Sequence, residues 1–337
     1  MKKKIVKFSK SYKNIFGIKK DFYKNNLKNL NSVLKINNLY KKQPLRKNCK
    51  NCNSRSLTGF IKNFGIQYKI CNNCNHVNGQ YKDTEKFAER IYSMNKGKDY
   101  AKNYLGDYDL RVKNIYAPKV DFLTSVIKKK FRLMDMGCGG GHFVKALENK
   151  KIYATGYDTS KELCKLGNLK IKNNKVINIK LSDSYKIVQE SKNFDVLSMI
   201  GVLEHLVDPS RMLKSFKKSN IKYLYILVPM FSLSTFLENS FTKVFPRSLS
   251  GAHTHAYTEK SLNYLSKKYN LRIIGEYWFG TDIPDFYRSL LCSSKILNKR
   301  IYQRELKPRL VNLIDDLQKV LDKKKVCSEA HIIFEKK

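Results

Sequence analysis

The stretch Leu133-Met-Asp-Met-Gly-Cys-Gly-Gly-Gly-His-Phe143 constrains this chain more than any other. A short apolar run ends in glycines at Gly137, Gly139 and Gly141, and Val144, Ala146 and Leu147 follow at the spacing of an apolar helix face. The pattern predicts a strand, a tight turn and a helix start. Residues without side chains let the backbone pass close to a ligand, and a helix N-terminus offers unpaired N–H groups beside them. A nucleotide-like cofactor is therefore expected at this turn. The dinucleotide fingerprint Gly-x-Gly-x-x-Gly does not fit, because its third glycine would fall where the chain has His142.

The glycines instead run Gly-x-Gly-x-Gly, with Asp135 two residues ahead of the first. In this the chain resembles the class I S-adenosylmethionine (SAM) methyltransferases, whose first motif is an acidic residue followed by such a run. From residue 131 onward strand-like and helix-like segments alternate, as in an open α/β sheet. Strands are expected at 133–138, 152–157, 176–181, 194–200, 223–228, 271–279 and 331–334. Seven strands with a short last one match the Rossmann-like methyltransferase sheet that the resemblance implies. Between the last two strands, residues 281–326 carry helical spacing in Phe286, Leu290 and Leu291 and again from Leu310 to Leu321. That predicts a two-helix insertion, an amphipathic hairpin that suits a homodimer or a lid.

The resemblance also implies which residues meet the cofactor. Asp135, Gly137, Gly139 and Gly141 belong to the loop beneath it. Asp158 ends the second strand and would hold the ribose hydroxyls, since a carboxylate accepts two hydrogen bonds at once; it also reads as a helix cap before Thr159 and Ser160. Asp183, after the third strand, would reach the adenine amino group or serve only as a cap or turn. The fourth strand continues into Gly201-Val-Leu-Glu204-His205. Many small-molecule methyltransferases of this class have a Leu-Glu-His segment there, and by that analogy Ile200 and Gly201 contact the methionine part while Glu204 and His205 face the active-site mouth.

Ahead of this domain stand Cys49-x-x-Cys52 and Cys71-x-x-Cys74. Two such knuckles around a short hairpin bring together four thiolates for a tetrahedral Zn²⁺, and a site with no open position is structural. The first residues, Met-Lys-Lys-Lys-Ile-Val-Lys-Phe, are basic without the apolar core of a signal peptide, and no run approaches the roughly 18–20 apolar residues of a membrane span. A cytoplasmic protein without a span is expected, with its cysteines reduced or metal-bound. The organisation expected is a basic N-terminal arm (1–45), a zinc-binding module (46–80), a tyrosine-rich helical connector (81–130) and the methyltransferase domain (131–337). The net charge of +39 suits a polyanionic partner, but the lysines are scattered, as an AT-rich coding sequence also gives.

After the fifth strand comes His253-Thr-His255, then Thr258 as the cap of a helix from Glu259. With the zinc motif and the glycine loop, this segment resembles zinc-containing nucleotide-sugar C-methyltransferases, which have His-Glu-His here. Carried over, His255 is the general base, with a pKa near neutral, and His253 stands beside it. Position 254 is Thr, so the carboxylate that would orient the imidazole is missing from this segment; loop packing or metal binding is the other reading of both histidines. The resemblance implies SAM-dependent methyl transfer to a small anionic acceptor, such as a nucleotide-linked sugar in polysaccharide biosynthesis. An alternative keeps the fold and makes the substrate rRNA or tRNA, drawn by the positive charge; the fourth strand, however, lacks an Asn-Pro-Pro-Tyr-like continuation. A scaffold without cofactor has no need of three closely spaced glycines.

Overall fold

The computed structural model describes residues 4–12, 25–93, 107–293 and 299–337. Parts of the expected arm, connector and insertion (13–24, 94–106 and 294–298), with Tyr100 and Tyr104, lie outside the described residues. The strands are, in chain order, β1 Ile5–Phe8, β2 Leu57–Asn63, β3 Ile66–Cys71, β4 Val77–Gly79, β5 Leu133–Met136, β6 Ala154–Asp158, β7 Lys175–Asn178, β8 Val196–Ile200, β9 Tyr223–Pro229, β10 His255–Ala256, β11 Leu271–Phe279 and β12 Glu329–Lys336. The helices are α1 Asn26–Tyr40, α2 Glu85–Ser93, α3 Ala117–Val126, α4 His142–Asn149, α5 Lys161–Lys170, α6 Ser184–Gln189, α7 Pro209–Lys218, α8 Leu233–Ser240, α9 Glu259–Lys268, α10 Asp282–Ser293 and α11 Lys307–Lys323. A short helix Tyr108–Arg111 and a π-turn Val112–Tyr116 lead into α3. None of the described helices is long and apolar enough to cross a membrane.

Eight strands form one sheet in the order β1-β11-β12-β9-β8-β5-β6-β7. Strand β12 runs antiparallel to both neighbours, and the other pairs are parallel. Alternate side chains of β9 show how both faces are covered: Leu224, Ile226 and Val228 enter one apolar cluster with Met134, Leu213 and Trp278, while Tyr223 and Tyr225 enter another with Phe122, Leu147 and Ile333. All seven expected strands are present. The eighth, β1, comes from the expected arm and lies along Gly275–Trp278 of β11. It closes an edge whose unpaired backbone groups would otherwise be open to association.

The order reverses beside β5: β6 and β7 extend the sheet one way, and β8 and β9 the other. The crevice outside the carboxyl ends of β5 and β8 is thus the place where open α/β sheets bind ligands.

A smaller sheet has the order β10-β4-β3-β2. Its β2–β3 hairpin turns at Phe64 and Gly65, with φ of 45° and 78°, the left-handed pair that matches strand twist. Strand β10 belongs to the long loop after β9, yet it pairs antiparallel with β4, His255 opposite Asn78 and Ala256 opposite Val77. The apolar cluster behind this sheet draws Tyr40 from α1, Ile66, Tyr68 and Val77 from the cysteine module, Phe87 from α2, and Leu249 and Ala256 from that loop. Residues from every expected segment therefore share this one small core.

The expected insertion is helical, formed by α10 and α11. Buried Asp282 pins it to the sheet: Oδ1 accepts from Ser232 Oγ (2.7 Å) and from Ser234 N and Oγ (3.0 and 2.8 Å), and Oδ2 accepts from Ser328 N (2.8 Å). Removing the carboxylate strands several buried donors. Asp282→Ala is expected to lower unfolding stability by about 3–5 kcal/mol in urea titrations, whereas a loss under about 1 kcal/mol would show that water replaces the carboxylate.

Candidate functional site

The glycine loop is fixed from two sides. Backbone N–H groups of Gly137 and Cys138 both donate to Tyr157 O (2.7 and 3.1 Å), and Gly139 N donates to Asp158 Oδ2 (2.7 Å). Asp158 Oδ1 accepts from Ser160 N (2.8 Å), so one carboxylate at the end of β6 orders both the loop and the start of α5. Burial pushes the Asp158 carboxyl up despite these donors. Ser160, rather than Asp158, is the side chain that caps α5, accepting from Leu163 N.

The glycines do different things. Gly141, at φ 72°, begins α4, and a Cβ there would stand 2.8 Å from Ile171 and 3.0 Å from Val176; it serves close packing. Gly139, at φ 55°, has no atom within 4 Å of where a Cβ would be, so its bare backbone faces open space at the crevice. Gly137 passes beside Val202, after β8. Above the loop, Tyr108 Oη donates to Gly140 O (3.0 Å), and the Tyr108 and Tyr116 rings both stack on His142.

Asp135 is buried under the loop, not on the wall of the crevice. Its Oδ1 accepts from Ser198 Oγ (2.6 Å), and burial moves its pKa up to about 7. Asp183 lies exposed on the turn after β7, its Oδ1 accepting from Ser182 Oγ at 3.1 Å. Ile200 is half-buried at the end of β8, and Gly201 follows with φ 70°.

Glu204, His205, His253 and His255 gather where the loop after β9 meets the cysteine module. Burial raises the Glu204 carboxyl to about 8 and lowers His205 to about 3, so both are neutral at pH 7 and their 3.8 Å approach is no ion pair. The His253 ring lies 5.0 Å from that of His205, and its Nδ1–H donates to Arg247 O (2.7 Å). His255 differs from expectation. It is 1% exposed, and burial together with the Lys50 charge holds its pKa well below the usual histidine value rather than near neutral. Its ring packs against His76 and Tyr257, both buried.

The carboxylate missing at position 254 is replaced from a distance. Thr254 Oγ1 donates to Asp83 Oδ1 (2.7 Å) and lies 3.4 Å from His255 Nδ1, a long contact in which it is the acceptor. Asp83 is clamped by Arg46 (2.9 Å) and Lys50 (2.8 Å), and Lys50 also reaches Glu204 O (3.4 Å). These cations hold the Asp83 carboxyl below its ordinary value in spite of burial. With Nδ1 as donor, His255 Nε2 is a bare acceptor, and neither it nor Glu204 Oε2 has a partner among the described residues.

The four cysteines stand as two knuckles, each closed by a left-handed asparagine: Asn53 N donates to Cys49 O (2.9 Å) and Asn75 N to Cys71 O (2.8 Å). All four sulfurs lie within 4.8 Å of one another, with Cys49–Cys74 at 3.7 Å and Cys52–Cys71 at 3.4 Å. Thiolates around a tetrahedral Zn²⁺ stand roughly 3.8 Å apart. Asn78 and Asn51 direct side-chain N–H groups at Cys49 and Cys74 (both 3.6 Å), as suits anionic sulfur. The cysteine set fits a structural metal, and His76 is outside it.

A cavity of about 170 Å³ opens at the strand ends, with Ile200 and Leu227 as its floor and Tyr12, Tyr116, Lys119, Thr281 and Glu329 among its walls. The four expected catalytic residues do not line it. Lys119, only 6% exposed, has its ammonium over the Tyr116 ring (4.8 Å) and meets no carboxylate within ion-pair distance among the described residues. Burial lowers it to about 8, with Glu329 and Asp135 opposing. Sequence reading passed over Lys119 and Asp83; the only signal was a lysine on the inward, apolar face Val120, Phe122, Leu123.

Gly139→Val would put a side chain into the crevice from a left-handed backbone. Calorimetry with S-adenosylhomocysteine is expected to show affinity reduced about tenfold or more, the equivalent of about 1.4 kcal/mol; unchanged affinity would mean that the loop does not hold the cofactor.

Over 84 residues the chain is 31% identical to a ubiquinone biosynthesis O-methyltransferase of Coxiella burnetii (strain RSA 493 / Nine Mile phase I), a match covering 25% of this chain; the chain spans only about a third (36%) of that relative's length. Among solved structures it is similar to the magnesium protoporphyrin IX methyltransferase of Synechocystis PCC 6803 with bound SAH, at 12% identity and TM-score 0.48 over 75% of this chain and 100% of that one. It is also similar to a SAM-dependent methyltransferase from Archaeoglobus fulgidus, at 16% identity and TM-score 0.44 over 71% and 99%. The family model described as a methyltransferase domain matches residues 108–276, from the tyrosines above the glycine loop to β11, and the chain belongs to that family.

Proposed function

We propose that this protein transfers a methyl group from SAM to a small acceptor bearing an anionic group, seated in the strand-end cavity. The observation that carries the acceptor class is Lys119, a buried ammonium on the cavity wall with no carboxylate within ion-pair distance among the described residues. A buried cation is costly unless a counter-charge meets it, and an incoming phosphate or carboxylate supplies one. A nucleotide-linked sugar is the finer form of this reading, its phosphates meeting Lys119. The resemblance of the cysteine motif, glycine loop and His253–His255 segment to sugar C-methyltransferases supports it.

SAM, when bound, supplies an electrophilic methyl group. In this reading the backbone at Gly137, Gly139 and Gly141 admits the cofactor closely, Asp158 holds the ribose, Asp183 meets the adenine, and Ile200 and Gly201 flank the methionine part. Asp135 acts from below, through Ser198. The protein's remaining work is to align the acceptor and manage its proton. Because these four residues stand outside the cavity, this reading has the acceptor extend from its anionic group at Lys119 to the loop after β9, where His255, neutral with Nε2 bare, accepts that proton, Glu204, protonated at pH 7, donates a hydrogen bond, and His205 and His253 stand beside them. Zn²⁺ in the four-cysteine site has a structural role, and the setting is cytoplasmic.

Methyl-labelled SAM incubated with an extract of the source cells tests this directly. Label is expected in small acidic molecules retained by an anion exchanger; label released by ribonuclease from large material would contradict the proposal. With the acceptor in hand, Lys119→Met is expected to raise its KM about tenfold while S-adenosylhomocysteine affinity holds. The wild-type KM should rise as pH passes about 8, where Lys119 loses its proton. A KM unaffected by the substitution would remove Lys119 from acceptor binding.

A further inference from the structure

Helix α11 packs Leu310, Val311 and Ile314 against the protein but mixes its faces otherwise. Toward the protein it turns Ile314, Gln318 and Asp322, all buried, and Asp315, which accepts from Tyr12 N (2.7 Å) and Ser11 Oγ (2.6 Å). Gln318 is held on the same face, donating to Asp322 Oδ1 (2.8 Å) and accepting from Ile283 N (2.9 Å). Toward solvent it turns Leu313, Leu317 and Val320, which are 48%, 49% and 58% exposed, and Leu306 just ahead of its first turn is 45% exposed. A surface helix normally buries its leucines and exposes its carboxylates.

The exposed stripe is ordered. With Leu310, which is partly buried against the cluster of Tyr12, Tyr302 and Ile314, the exposed Leu306, Leu313, Leu317 and Val320 follow in alternating steps of four and three residues, the spacing of a two-stranded coiled-coil seam. One flank of the stripe carries exposed Arg309 and Asp316. At 100° per residue both fall within about one side chain's width of the seam. Among the described residues of its own chain, Arg309 meets a carboxylate only in an exposed contact with Glu305 at 3.4 Å, a pairing of little worth.

This pattern is complementary to itself. If two copies of the helix lie antiparallel about a two-fold axis at Leu313, Leu306 meets Val320 of the second copy, Leu313 meets Leu313, and Leu317 lies one residue out of level with Leu310. Arg309 then stands beside Asp316 of the second copy, and the symmetry makes that contact twice. In a parallel arrangement the two-fold runs along the helices and carries the flanks of the two copies to opposite sides of the seam, so Arg309 and Asp316 would not meet. We infer that α11 is the interface of a homodimer, paired antiparallel with α11 of a second copy and centred on Leu313. The inference is independent of the methyl-transfer reading. A seam from one helix of roughly 26 Å is small for a stable dimer, so dissociation at micromolar concentration is expected.

Sedimentation equilibrium of the full chain tests this. Wild type is expected to pass from monomer to dimer across the micromolar range, and Leu313→Glu to stay monomeric with unchanged circular dichroism. Arg309→Asp and Asp316→Arg should each weaken dimerisation about tenfold, a loss on the scale of about 1.4 kcal/mol. The double variant R309D/D316R should recover it, because the exchanged charges again face each other across the axis. A wild type that remains monomeric, a dimer indifferent to the single charge reversals, or a double variant no better than the singles would each overturn the proposal. Binding of monomeric wild type to anionic lipid vesicles, lost in Leu313→Glu, would overturn it in favour of a membrane surface.

Discussion

The backbone pairing of β10 with β4 is the contact on which the proposed acceptor side of this molecule depends. Two residues, His255 and Ala256, lie against Val77 and Asn78, and through them a loop of the large sheet becomes an edge of the cysteine module's sheet. Such a short ladder is weak alone, since isolated pairs of strands are marginal in water. It is reinforced by Asp83, which joins Arg46 and Lys50 of the module to Thr254 of the loop, and by the apolar cluster of Tyr40, Tyr68, Leu249 and Ala256. His255 is held in place by this assembly, while Tyr257, two residues on, donates its N–H to Pro229 O (2.9 Å) at the end of β9. Folding of the module therefore sets the geometry of the His253–His255 segment. Four cysteines that hold a metal fold with it.

The cofactor side has a different dependence. The glycine loop is held by Tyr157 O and the Asp158 carboxylate, both at the end of the neighbouring strand β6, and its glycines pack on α5 and beside Val202. Nothing from the cysteine module enters that list of contacts. On the proposed reading the protein divides at the switch point of its sheet into a cofactor half made by local backbone geometry and an acceptor half assembled from distant segments. Lys119 stands where the halves meet, on the helix that leads into the glycine loop and on the wall of the cavity floored by Ile200.

What the sequence made legible follows the same division. The glycine loop, the seven strands, the four cysteines and the Thr258 cap each depend on residues close together in the chain, so their patterns survive in the sequence. Strand β1 did not, because four residues carry too short a period to stand out and their partner is about 270 residues away. Asp83 and Asp282 look like ordinary surface aspartates until the donors from remote segments are brought to them. The burial of His255, which removes the near-neutral pKa expected of it, likewise arises from a pairing that no local pattern announces. Thr254 is the instructive position. A missing carboxylate in a three-residue motif was visible, whereas its replacement through a hydroxyl from Asp83 required the fold.

The most direct test of this two-half account is to compare the zinc-loaded protein with protein stripped of metal by chelation, measuring S-adenosylhomocysteine affinity by calorimetry and methyl transfer from labelled SAM on the same samples. Stripping is expected to leave the affinity within about twofold and to abolish transfer, because the cofactor loop stands without the module and the His255 loop does not. Transfer that persists after the metal is gone, or affinity lost together with transfer, would contradict it.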